Sequence, residues 1–141
     1  MLAYQITAYS KAGGEAQATI GESTVSFDAS ADNILELPNP AELLLTSLAV
    51  CILKNVERYS KRLKFPYRQA KITVHGIRND NPPYMKTITY VLEIDTDVEE
   101  GKLNLWHRNI VKFGTITNTL LRSTELSGEI HRMNKAEKQN D

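Results

Sequence analysis

Cysteine is almost missing from this chain: Cys51 stands alone among 141 residues. An intrachain disulfide is therefore excluded. A cysteine-based zinc site would lack partners, and the histidines lie far apart at His75, His107 and His131. No metal and no cofactor is expected. A lone thiol also suits a reducing compartment. An excess of either charge is missing too, because 17 basic side chains balance 17 acidic ones. Dedicated nucleic-acid binders usually carry a basic surplus. Long apolar runs are equally lacking. The greasiest stretch, Leu43 to Leu53, is interrupted by Thr46 and Ser47, and crossing a bilayer takes about 20 residues. Met1-Leu2-Ala3-Tyr4-Gln5 shows no basic start followed by an apolar stretch. These deficits predict a cytoplasmic protein with neither nucleic acid nor membrane as partner.

What is present is globular. Hydrophobic residues make up 41% and charged residues 24%, which excludes disorder of the whole chain. Residues 2–9 alternate loosely. Gly13-Gly14 signals a turn, and residues 16–20 and 23–28 read as strands around Gly21-Glu22. A polar, Asp-rich loop follows to Leu37. The sharpest local signal is Pro38-Asn39-Pro40-Ala41-Glu42. Asn39 is a good N-cap, and Pro40 fits the first helical position, where its missing N–H would be unpaired anyway. Glu42 can reach back to the cap N–H. The helix predicted from residue 40 meets no breaker before Pro66, giving a length of roughly 35 Å. Its first half, Leu43 to Leu53, is apolar on nearly every face, and a helix of that kind is buried all round. Its second half turns basic.

Gln69 to Ile77 and Met85 to Asp95 read as an antiparallel strand pair about the turn Asn79–Pro83. Asp97 with Glu100 resembles a second capping box. Leu103, Trp106, Ile110 and Phe113 follow at helical spacing. Gly114 interrupts them, Thr115 is placed to cap a short continuation through Leu121, and Thr124 to Ile130 is a last weak strand. No linker divides the chain. The expectation is one domain at 1–132 with a polar tail at 133–141. The fold class is α+β, with three strands, a long buried helix, two strands, two short helices and a strand. So greasy a helix needs more cover than one short chain supplies, and a homodimer would provide it.

Asn39-Pro40-Ala41-Glu42-Leu43-Leu44-Leu45-Thr46-Ser47-Leu48-Ala49-Val50-Cys51 resembles the helix opening of the OsmC/Ohr proteins, in which Asn-Pro-Glu precedes an apolar, Ala-rich stretch and Ala-Cys. The strand pair with Pro82-Pro83 in its turn, and the helix followed by a short capped helix, are similar to the same family. The resemblance implies an intertwined homodimer whose central helices are buried between shared sheets. It also implies kinship with thiol-dependent reductases of organic hydroperoxides. In those, a helix Cys attacks the peroxide and a second Cys, in a Cys-Pro-x-Ser turn, resolves the sulfenic acid. A Glu after Asn-Pro and an Arg near the N-terminal hairpin hold the thiolate.

Of these four residues the chain keeps Cys51, the candidate catalytic residue. The Cys-Pro-x-Ser turn corresponds to Gly114-Thr115-Ile116-Thr117, so Gly114 stands where the resolving Cys would be. Ala41 occupies the Glu position, with Glu42 about 100° further round the helix. No Arg precedes Arg58, and Lys11 is the basic residue near the hairpin. Weak or lost peroxidase activity is expected, at most that of a one-Cys reductase served by an external thiol. The alternative is a non-catalytic dimer of the same fold that binds an apolar small molecule. The basic run Lys54, Arg58, Lys61, Arg62, Lys64, Arg68 and Lys71 reads as a solvated helix end. The acidic residues Glu93, Asp95, Asp97, Glu99 and Glu100 lack Ca²⁺-loop spacing and read as a solvated turn.

Overall fold

The structure is a computed structural model describing residues 1–134; the expected tail from residue 135 onward lies outside the described residues. The chain divides into two compact units, residues 1–44 and the remainder from Leu45.

The first unit is an antiparallel meander. β1 (Thr7–Ser10) pairs with β2 (Glu15–Ile20), and β2 pairs with β3 (Ser23–Asp28). Gly21 holds the second turn at a positive φ of 60°, as a Gly-first hairpin requires. After β3 the loop folds around Asp28. Its carboxylate accepts the Ser30 N–H at 2.7 Å, the Ser30 hydroxyl at 2.5 Å and the Leu35 N–H at 2.9 Å. The Ser30 bond in particular holds the Asp28 pKa below the usual carboxylate value.

α1 (Pro40–Leu63) begins as the sequence dictates. Glu42 N–H donates to Asn39 Oδ1 at 2.9 Å, and Asn39 N–H donates to Glu42 Oε1 at 3.1 Å. This is the reciprocal capping box. Its far end closes where Lys64 turns into the left-handed region, φ 60°. There Phe65 N–H donates to Ser60 O at 3.0 Å, and Ser60 Oγ donates to Phe65 O at 2.7 Å. Within a single chain the burial of this helix is one-sided. Leu48, Ile52, Asn55, Val56 and Tyr59 are buried along one stripe, but Val50 is 57% exposed. The buried stripe faces the interior of the unit from Leu45 onward, and Val50 lies off that stripe.

The second unit holds a sheet of order β4-β5-β6, made of β4 (Gln69–Asp80), β5 (Pro83–Asp95) and β6 (Glu125–Arg132). β4 runs on to Asp80, so Asn79 belongs to the strand and not to the turn. β5 is antiparallel to β4 and parallel to β6. The parallel pairing needs a crossover, and α2 (Glu100–Lys112) with α3 (Thr115–Leu120) supplies it. Ile88, Leu92 and Ile94 of β5, Leu48, Ile52 and Val56 of α1, and Leu103, Trp106 and Ile110 of α2 are each at most 1% exposed. They form the apolar interior of this unit. Trp106 Nε1–H donates to Val56 O at 3.2 Å, and the rings of Phe65 and Tyr67 meet the Trp106 ring edge-on.

Two cap assignments are corrected. Asp97 does not cap α2; the N-cap is Glu99, without a side-chain bond. Arg68, 29 residues away in sequence, takes Asp97 at 3.3 Å together with the buried Asp95 at 2.8 Å. For α3 the N-cap is Gly114, and Thr115 is the first helical residue. Beyond β6, Met133 is buried and its N–H donates to Ile94 O at 2.8 Å.

Candidate functional site

Cys51 lies near the middle of α1, half-buried, between the buried stripe and the open face around Val50. What it faces is set by how α2 docks on α1. Tyr59 stacks on Phe113 with ring centroids 5.6 Å apart. One turn back, the buried Asn55 donates its Nδ2–H to Ile110 O at 3.1 Å. Another turn back, Cys51 arrives at the corner between α2 and α3. A side chain begun at Gly114 would place its Cβ 3.2 Å from Cys51 Sγ and 2.8 Å from Thr117 Oγ1. The absence of a side chain at 114 is what allows the corner to come this close to α1.

The structure therefore brings together Cys51, Gly114 and Thr117, the residues that the sequence comparison aligned with the thiol and the resolving turn. Glu42 accepts the Asn39 N–H at the helix cap. Lys11 sits in the first hairpin, lining a small cleft of the meander with Tyr9, Glu15, Gln17 and Ser26. Lys54, three residues after Cys51, is exposed. Of the basic run, Lys61 pairs with Glu57 at 3.4 Å and Arg62 lies over the Tyr59 ring. No group of three or more His, Cys, Asp or Glu able to hold a metal occurs among the described residues. No helix among them is long and apolar enough to cross a membrane.

Two features escape sequence reading. Thr117, 1% exposed, leaves its hydroxyl without a hydrogen-bond partner among the described residues; only a three-dimensional arrangement can reveal an unpaired buried group. The second is the pair formed by the buried Tyr90 and the half-buried His107, whose oxygen and Nε2 are 2.6 Å apart. Burial raises the Tyr90 pKa to about 12 and lowers that of His107.

The model for the OsmC-like proteins matches residues 31–128, a span that contains Cys51, Gly114 and Thr117. The chain belongs to the OsmC-like family. Solved structures agree on the fold. An OsmC-like protein from Mycoplasma pneumoniae is 19% identical with a TM-score of 0.87, covering 94% of this chain and 99% of that one. An organic hydroperoxide resistance protein, OsmC, from Legionella pneumophila is 12% identical with a TM-score of 0.75, covering 92% and 98%. The organic hydroperoxide resistance protein OhrB of Bacillus subtilis is 15% identical with a TM-score of 0.69, covering 91% and 98%. A search of the curated proteins finds no match.

Proposed function

We propose that this OsmC-like chain is a dimeric one-Cys protein in which Cys51 meets organic hydroperoxides slowly, with no resolving thiol of its own. One observation carries the reading. A Cβ at the position aligned with the family's second Cys would stand 3.2 Å from Cys51 Sγ, and the residue there is glycine. The place for a disulfide exists, but one of its two sulfurs does not. A 3.2 Å separation of Cβ and Sγ is close to the roughly 3 Å that a disulfide of ordinary bond length imposes. After oxidation, Cys51 would depend on an external thiol, and slow reduction exposes a sulfenic acid to over-oxidation. The dimer rests on the open apolar face of α1, which a second copy would cover. The expected place of work is the cytoplasm.

The test is consumption of cumene hydroperoxide with a dithiol reductant by wild type, Cys51→Ser and Gly114→Cys. Wild type should be slow and Cys51→Ser slower still. Gly114→Cys should turn over several-fold faster than wild type and form a disulfide between Cys51 and the introduced thiol, visible by mass. Fast turnover by wild type, abolished in Cys51→Ser, would show a complete one-Cys enzyme and sink the weak-activity reading.

A second reading, the binding of an apolar small molecule, is favoured by the exposed Val50, Phe113 and Leu121, which neighbour the site residues in sequence. Saturable binding of a long-chain alcohol by both wild type and Cys51→Ser would support it.

A further inference from the structure

Thr117 Oγ1 is the one buried side-chain nitrogen or oxygen atom without a hydrogen-bond partner among the described residues. An unpaired hydroxyl in the interior destabilises the fold, and valine would fill the same space without that penalty. A structural role for the hydroxyl is therefore hard to find. Its surroundings suggest a chemical one. Oγ1 and Cys51 Sγ approach the same missing side chain at Gly114, 2.8 Å and 3.2 Å from its origin, yet in the resting thiol the two atoms form no bond. Oxygen added to the sulfur lengthens Cys51 by one atom on a side where a partnerless donor stands.

We propose that Thr117 is a positioning residue for oxidised Cys51, donating a hydrogen bond from its hydroxyl to the oxygen of the Cys51 sulfenic acid. The proposal rests on the reading of Cys51 as a peroxide-reactive thiol. In the first step the thiolate sulfur attacks the terminal oxygen of an organic hydroperoxide. The S–O bond forms as the O–O bond breaks. Sulfur loses two electrons and the peroxide gains them. The terminal oxygen carries its hydrogen to the sulfur, and the departing alkoxide takes up the proton that the thiol released, leaving as an alcohol. Thr117 O–H then holds the sulfenic oxygen. An external thiol can later attack the sulfur and displace that oxygen as water, giving a mixed disulfide. Because the bond is made only after oxidation, it slows loss of the sulfenic acid to higher oxides and leaves the initial attack little changed.

The experiment uses the full chain as wild type, Thr117→Val, Thr117→Ser and Cys51→Ser. Each is treated with an excess of cumene hydroperoxide, since sulfenic acid formation uses one equivalent and its further oxidation to sulfinic acid needs a second. Sulfenic acid is trapped at intervals with a dimedone probe, and sulfinic acid is followed by intact mass. Thr117→Val should melt at or above the wild-type temperature and still form Cys51-dependent sulfenic acid. It should then lose that acid about two- to tenfold faster, the range one net hydrogen bond supports. Thr117→Ser, which keeps the hydroxyl, should restore the wild-type lifetime. Equal lifetimes in wild type and Thr117→Val overturn the proposal and leave the reading of Cys51 standing. A lower melting temperature for Thr117→Val also overturns it, since the hydroxyl would then have a structural partner. Absence of any Cys51-dependent adduct in wild type overturns both.

Discussion

The two units of this chain solve unequal problems. The unit from Leu45 onward closes an interior of its own, with nine apolar side chains from α1, β5 and α2 at 1% exposure or less. The meander of residues 1–44 has almost none. Of its apolar residues only Ala16 is buried, while Tyr4, Ile6, Tyr9, Ile20 and Val25 stand exposed. Three strands without a covered face make a marginal structure in water. The contrast is one of burial: the unit from Leu45 onward encloses its apolar side chains, whereas the apolar side chains of the meander and Val50 of α1 are exposed. A second copy of the chain is the proposed cover. The loop after β3 shows how the meander is braced meanwhile, by three hydrogen bonds to Asp28 in place of apolar packing.

The most damaging way to probe this contrast is Leu48→Asp. Leu48 is fully buried, and a carboxylate there would lose its water without gaining a partner, at a cost of several kcal/mol. Natural domains hold only about 5–15 kcal/mol in all. The variant should unfold or aggregate, as read by circular dichroism and thermal melting. An unchanged melting temperature would mean that the interior has been misassigned.

Two positions further along the same helix, Val50→Asp should act differently, because Val50 is 57% exposed. The same holds for Val25→Asp in the meander. Both charges fall on surfaces proposed to be covered by a second protomer. Obligate interfaces bury roughly 2,000 Å² or more and are rich in apolar side chains. Sedimentation of wild type should show a dimer at micromolar concentration. Each variant should shift it towards monomer while much of the helical signal survives. A folded wild-type monomer, or variants that remain dimeric, would break the argument that the open surfaces are interfaces.

How much of this is legible in the sequence follows the range of the interactions. The capping box at Asn39 and Glu42 is made by residues three apart, and the sequence displays it fully. The strands β2 and β3 and their glycine turn are equally local. Asp97 misleads because its carboxylate is claimed by Arg68, 29 residues earlier, and no short motif announces such a pairing. The parallel addition of β6 to β5 is likewise non-local. Family resemblance, not periodicity, points to the meeting of Cys51 with residue 114, since the two are 63 positions apart. The unpaired Thr117 hydroxyl and the Tyr90–His107 pair need coordinates.

That pair offers the finest test of the packed unit, and the smallest expected effect. Tyr90 crosses Gly128 on the neighbouring strand so closely that any side chain there would collide with the ring. Its hydroxyl, kept protonated by a pKa of about 12, shares a hydrogen bond with Nε2 of His107 at 2.6 Å. Burial lowers the His107 pKa from its ordinary 6.5. The unfolded chain therefore takes up the proton before the folded one does. Its contribution to stability is complete above pH 6.5 and is lost as pH falls from there through the lower folded value. His107→Gln keeps an acceptor for Tyr90 in its amide oxygen but cannot titrate. Urea midpoints measured at pH 7.5 and 5.5 should fall further in wild type than in His107→Gln, since other titrating groups are common to both. Equal falls would show that His107 titrates alike in the folded and unfolded chain, and that the packed unit does not shield it as the structure implies.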